Sequence, residues 1–198
     1  MITARKSLAL ILVLAAALAL PAAAEHHEEM MPELSGYLAD FQSDFDFSNG
    51  RLLQLAEAIP ADKYGWTPAE GVRTVSQVFV HVAGANYFFA SQFGVDMPEG
   101  WGMDAEQTIT AKDDVIAALK ASQGAIHKAA ANAAKIDLDE TVSMFGTDRS
   151  KRAVLMIVSG HGHEHLGQAI AYARSNGVVP PWSQPAPAPA EGDESGDG

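Results

Sequence analysis

Apolar positions recur along this chain at steps of three and four residues in four separate stretches, the spacing of one face of a helix. In the first, Leu38, Phe41, Phe45, Ser48, Leu52, Leu55 and Ile59 make one stripe; Pro32 suits a first helical position and Pro60 ends the run. The second starts at Thr74 or Val75 and reaches about Phe93. One of its faces carries Gln77, Val78, His81, Gly84, Ala85, Phe88 and Gln92, and the missing bulk at Gly84 and Ala85 would let a neighbouring helix come close. The third starts near Thr110, with Asp113 and Asp114 favourable at its positive end and Ile116, Leu119 and Ile126 on its stripe. The fourth covers about residues 151–175, with Ser150 placed to cap its start and Asn176-Gly177 as its stop.

The segments between these runs lack helical periodicity. Residues 61–71 form a loop holding Tyr64 and Trp66, and residues 94–108 form a second, rich in Gly, Pro and Asp, with Trp101 as its anchor. Between the third and fourth runs, residues 141–145 read as a short extended segment before Gly146. Four helices in one chain of this length make an all-α four-helix bundle the default architecture.

The ends read differently. Arg5 and Lys6 precede a continuous apolar segment from Leu8 to Leu20, followed by Pro21 and Ala22-Ala23-Ala24. That order is expected of a signal peptide over residues 1–24, cleaved before Glu25, and the apolar run is short for a membrane span. Residues 25–32 form a flexible mature N-terminus in which His26 and His27 read as solvated. The bundle then occupies residues 33–183, closed by Pro180-Pro181-Trp182. Residues 184–198, Pro/Ala-rich and then acidic, carry no burial-competent side chains and read as a disordered tail. The protein is therefore expected to be extracytoplasmic, periplasmic or secreted.

Charge and cysteine content narrow the chemistry. The chain has 25 acidic against 13 basic residues, a net charge of −12, and losing Arg5 and Lys6 takes it further negative. Nucleic acid and stable membrane association both need a positive footprint, so neither is expected. The partner is expected to be a small-molecule substrate, with room left for a homodimer. There is no cysteine. An exported fold without disulfides rests on its apolar core, and neither a thiolate ligand nor a protein thiol nucleophile is available.

The candidate chemistry lies in Gly160-His161-Gly162-His163-Glu164-His165, inside the fourth helical run. At roughly 100° per residue, His161 and His165 project the same way, along with Val154, Ile157, Val158, Gln168 and Tyr172, whereas His163 points about 200° from His161. A histidine pair one turn apart can ligate one metal ion, and it can equally be a hydrogen-bonded core pair; a third histidine from another helix favours the ion. His81 lies on a core-facing stripe of the second helix. His127 sits off its helix's stripe and reads as a flank residue. Glu164 is either a partner of the site or an exposed helix glutamate, and Gln168 and Tyr172 either orient a ligand or seal the core.

Three stretches together resemble a known family: Tyr64-Gly65-Trp66-Thr67-Pro68, then Arg73-Thr74-Val75-Ser76-Gln77-Val78-Phe79-Val80-His81-Val82-Ala83, then His161-x-x-x-His165-x-Gly167-Gln168 followed by Tyr172-Ala173-Arg174. In order and spacing they are similar to the DinB/YfiT-like family of metal-dependent four-helix-bundle proteins, over about residues 33–182. The resemblance implies an up-down-down-up bundle with a long crossover between the second and third helices. It also implies a three-histidine site for a divalent metal ion, zinc or nickel, made here by His81, His161 and His165. Characterised relatives include thiol-dependent transferases and isomerases and some hydrolases. The function implied is a metal-dependent enzyme that activates water, as a hydrolase, or a substrate thiol, as a transferase. Export removes the chain from the cytosolic thiol pool and favours water. The alternative is a non-catalytic extracytoplasmic metal-binding bundle built from the same residues.

Overall fold

The apolar stripe on the first helix becomes α1 (Tyr37–Ala58), with Leu38, Phe41, Phe45, Ser48, Leu52 and Leu55 all buried. The computed structural model describes residues 32–185; the expected signal peptide, His26 and His27, and the chain beyond Pro185 lie outside them. Helix α1 does not open at Pro32. Residues 32–35 are non-helical, and the helix starts after Gly36, whose φ of +56° is a conformation glycine adopts without a Cβ clash.

Tyr64-Gly65-Trp66-Thr67-Pro68 fixes where the next helix begins. Buried Tyr64 donates through its hydroxyl to the Ala56 carbonyl at 2.6 Å, and the Val75 and Ser76 amides bond back to the Trp66 and Tyr64 carbonyls. Thr74 caps α2 (Val75–Ser91) in a reciprocal capping box with Gln77. The helix stops at Ser91 rather than Phe93. In the connection that follows, a four-residue helix α3 (Ala105–Thr108) forms where the sequence pattern predicts only loop, and α4 (Lys112–Ala133) comes next.

The expectation of an all-helical chain is corrected by a hairpin. Thr141–Met144 (β1) is extended as predicted, but it pairs antiparallel with a second strand, Thr147–Ser150 (β2), across a two-residue turn. The polar residues of β2, exposed at Thr147 and Asp148 and half-buried at Arg149 and Ser150, carry no alternating apolar signal, and their pairing is a backbone property. Ser150 then caps α5 (Lys151–Ser175) through a hydrogen bond from the Ala153 amide.

The four long helices pack in a closed ring of neighbours, α1 beside α4 and α5, and α2 beside α4 and α5, with α3 on α2. Two apolar clusters fill the interior. One holds Leu52, Leu55, Val78, Leu119 and Leu166; the other holds Phe41, Phe45, Phe89, Ile126 and Val158. Truncating a buried leucine in either costs about 2–5 kcal/mol. Between the clusters lies a buried polar layer in which Asn86 donates to Ser122 at 3.2 Å and Gln123 donates to the Asn49 carbonyl at 2.9 Å. Gly162 of α5 meets this layer: a Cβ there would lie 2.9 Å from both the Asn49 amide nitrogen and the Ser48 hydroxyl. The close approach of α1 to α5 thus falls beside His161.

Candidate metal centre

His81 on α2 and His161 and His165 on α5 converge on the seam between the two helices. Their ring centroids are 5.2, 4.9 and 4.4 Å apart for the pairs 81–161, 81–165 and 161–165. One ring nitrogen from each lies within 4.8 Å of the others, and the Nε2 atoms of His81 and His161 are 3.3 Å apart. Nitrogens held about 2.0–2.1 Å from one tetrahedral ion stand roughly 3.4 Å apart, so the first pair already has the spacing such an ion needs.

The outer nitrogens are engaged. His81 Nδ1 lies 2.9 Å from Glu106 Oε1 and His165 Nδ1 lies 2.8 Å from Gln168 Oε1. Both partners accept, so both Nδ1 atoms donate, and in a neutral imidazole that leaves the lone pair at Nε2. Anchoring a histidine through its other nitrogen is how proteins orient imidazoles toward a metal. The chain continues outward: Gln168 Nε2 donates to the Tyr172 hydroxyl at 3.2 Å, and Tyr172 donates to the Arg73 carbonyl at 3.1 Å. The Arg73 guanidinium donates to both Glu106 oxygens, at 2.7 and 3.3 Å. Arg73, the residue before the cap of α2, therefore closes a hydrogen-bonded circuit from His81 to His165. Trp66 packs edge-on against Tyr172, at 5.2 Å, and buttresses that arm.

Electrostatics suit neutral imidazoles. Burial, then the charges of His165, His81 and Arg73, push His161 down to about 4, and burial likewise lowers His165 against the hydrogen bond to Gln168. Burial alone would raise Glu106, but the hydrogen bonds and charges of Arg73 and His81 outweigh it and hold the carboxyl below its usual range. His161 and His165, kept uncharged by burial, and His81, with an anionic partner behind it, could together hold a borderline divalent ion.

The other histidines among the described residues fall where helix geometry puts them. His163 is exposed and bonds Asp44 at 2.9 Å, and His127 bonds Asp46 at 2.8 Å; neither reaches the cluster. Glu164 is exposed. Gln168 bonds His165 and is bonded to Tyr172, which is also buried in the apolar core. Glu106 and the side chain of Arg73 went unnoticed in the sequence. Glu106 lies 25 residues from His81 on a helix too short to show periodicity, and no local pattern singles it out. Space beside Gly84 is taken not by a helix but by the Trp101 indole, whose Nε1 lies 3.3 Å from where a Cβ would stand. Trp101 also packs edge-on against Tyr87 at 4.8 Å.

His81, His161 and Glu106 form part of the wall of a cavity of about 480 Å³, whose other walls include Phe88, Phe89, Trp101, Met103, Phe145 and Ile157. On its other side Glu106 borders a second, more polar cavity of about 650 Å³ with Arg73, Gln77, Gln107 and Gln168.

The DinB superfamily profile matches residues 44–169, which include all three histidines and most of the four long helices. The chain belongs to the DinB superfamily. Among solved structures, a DinB-like protein from Bacillus subtilis superposes with a TM-score of 0.54 at 24% identity, covering 71% of this chain and 93% of the other. That likeness shows the DinB-like fold. No curated protein matches the chain.

Proposed function

We propose that His81, His161 and His165 hold one divalent metal ion, zinc or nickel, and that the chain is a metal-dependent enzyme, a hydrolase acting through water or a transferase acting on a substrate thiol. One observation carries the reading: two of the three histidines also line a cavity of about 480 Å³, the size of a small-molecule site. When bound by three neutral imidazoles, such an ion keeps its full charge and an open position, and it lowers the pKa of a bound water or thiol toward neutrality. The chain's own residues prepare that position. Glu106 and Gln168 hold the Nδ1 protons of His81 and His165, so their Nε2 atoms face inward, while Arg73 keeps Glu106 ionised and fixed. Trp101 and Phe89 form an apolar wall beside the histidines.

Protein purified without a histidine tag, loaded with zinc or nickel, should turn over at least one member of a panel of esters, amides and thiol conjugates. Activity should require one equivalent of metal and vanish in His161→Ala. Stoichiometric metal without turnover across the panel would leave the non-catalytic metal-binding reading; failure to bind either metal would overturn both.

We further infer that the four long helices form an up-down-down-up bundle over residues 33–183. Contacts of α2 and the turn after it with α4 advance together, from Asn86–Ser122 to Phe93–Asn132, as do those between α1 and α5, from Tyr37–Arg152 to Ser48–Gly162. Contacts between α1 and α4 run oppositely, from Glu57–Lys112 to Asp46–His127. Export through a signal peptide at residues 1–24 is part of the same proposal, supported by Arg5, Lys6, the apolar run and Ala22-Ala23-Ala24. Among the described residues, no helix is long and apolar enough to cross a membrane. N-terminal sequencing should find Glu25 first; Met1 retained in a membrane fraction would refute export.

A further inference from the structure

The hairpin between α4 and α5 carries a conformation that its sequence does not favour. Phe145 and Gly146 are the central residues of the two-residue turn, with φ of +52° and +73°. Positive φ at both positions is the signature of a type I′ turn, which selects Asn, Asp or Gly because their short side chains tolerate the left-handed region. Among the described residues Phe145 is the one non-glycine with positive φ. A bulky residue held there is an outlier, and such strain persists where surrounding structure or function requires it.

Core packing does not require it. The Phe145 side chain is 73% exposed, so burial contributes little to keeping phenylalanine in the turn. What the ring does is stand at the mouth of the cavity beside His81 and His161, 5.5 Å from the Phe88 ring and tilted 33° to it. Met103, fully exposed, lies along the same cavity. Deeper in, Phe89 packs edge-on against His161 at 5.9 Å, and Trp101 lies over Gly84. Flat side chains therefore lead from solvent to the histidines, with Glu106 and the imidazoles as the polar end. A wall of this kind binds a flat apolar group by stacking and edge-on contacts.

We infer that the cavity takes a small molecule bearing an aryl group, whose polar end reaches His81 and His161, and that Phe145 is a specificity-determining residue that clasps the aryl group at the rim. For the polar end the inference rests on the metal-site reading; for the aryl end it rests on the walls alone.

The test uses the full mature chain loaded with cobalt(II), whose visible spectrum reports the histidine site, titrated with acetohydroxamate and benzohydroxamate. The two probes share a metal-binding head and differ in the aryl group. Benzohydroxamate should bind at least about tenfold more tightly. Phe145→Asn should bring the two affinities to within about threefold, leave that of acetohydroxamate unchanged, and raise the thermal midpoint, because asparagine suits the turn. Equal affinities in the unaltered protein, or a preference that survives Phe145→Asn, would overturn the inference. If cobalt fails to enter the site, the metal reading fails separately. The metal-free protein then decides on the walls: benzohydroxamate, and not acetohydroxamate, should shift the indole N–H resonance of Trp101, assigned with Trp101→Phe. No shift with either probe would overturn the aryl pocket.

Discussion

His81 and His161 are 80 residues apart in the chain, and their Nε2 atoms lie 3.3 Å from each other. With its Nδ1 engaged by Glu106, His81 turns Nε2 toward His161. These two nitrogens, with one from His165, are the atoms that would hold a bound ion. Each of His81→Ala, His161→Ala and His165→Ala should abolish stoichiometric zinc or nickel binding, measured by equilibrium dialysis and elemental analysis. His163→Ala and His127→Ala should leave it nearly unchanged. Retention of full affinity in His81→Ala, with loss in His163→Ala, would refute the site.

Glu106 should matter almost as much as a ligand without touching the ion. Glu106→Gln keeps an acceptor for His81 but removes the charge that pairs with Arg73, and should weaken metal affinity about tenfold. Glu106→Ala removes both and should approach a hundredfold loss. Competition titration against a chromophoric chelator reads both values, and wild-type affinity in the alanine variant would show that Glu106 does not support the site.

Acid should destabilise the metal-free protein through the histidine cluster. His161 is held down to about 4 in the folded state against an ordinary value of 6.5, with burial the largest cause. Between those values the unfolded chain binds a proton that the folded chain refuses, so stability is complete above about 6.5 and declines as pH falls toward 4. His165 is shifted in the same direction and adds to the decline. Urea unfolding from pH 7.5 to 4 should show a shallower loss for His161→Gln than for the unaltered protein; identical slopes would contradict the assignment.

The glycines of α5 should separate by position. No atom lies within 4 Å of a Cβ built on Gly160 or Gly167, so alanine there should stabilise by about 0.5–1 kcal/mol through helix propensity. Gly162→Ala pushes against Ser48 and Asn49 in the buried polar layer, and that overpacking, about 1–3 kcal/mol, should cancel or exceed the gain. Thermal unfolding of the three variants gives the comparison, and a stabilised Gly162→Ala would mean that α1 and α5 can part without cost.

Much of this molecule is legible in one dimension because helix periodicity is a local property. Every residue of the predicted stripe from Leu38 to Ile59 is buried, and the i, i+4 spacing of His161 and His165, with His163 turned away, survives unchanged in the fold. Even the cap at Ser150 and the stop at Asn176 follow from nearest neighbours. The start of α1 departs from the sequence pattern because proline suits a first turn without compelling one, and Gly36 delays the helix.

Which faces are apolar, where the long helices run and which histidines those helices could present together are local properties of the chain. Tertiary structure alone decided what stands behind the histidines. Glu106 reaches His81 only because the connection after α2 folds α3 onto it, and Arg73 joins both arms of the circuit only because α5 packs beside α2. The partner strand β2 and the aromatic rim at Phe145 arise the same way, from a turn that swings polar and apolar residues beside a distant helix. Periodicity records the energy a segment gains by hiding one face, but it carries no record of which distant segment does the hiding. That choice belongs to the packing of the whole chain.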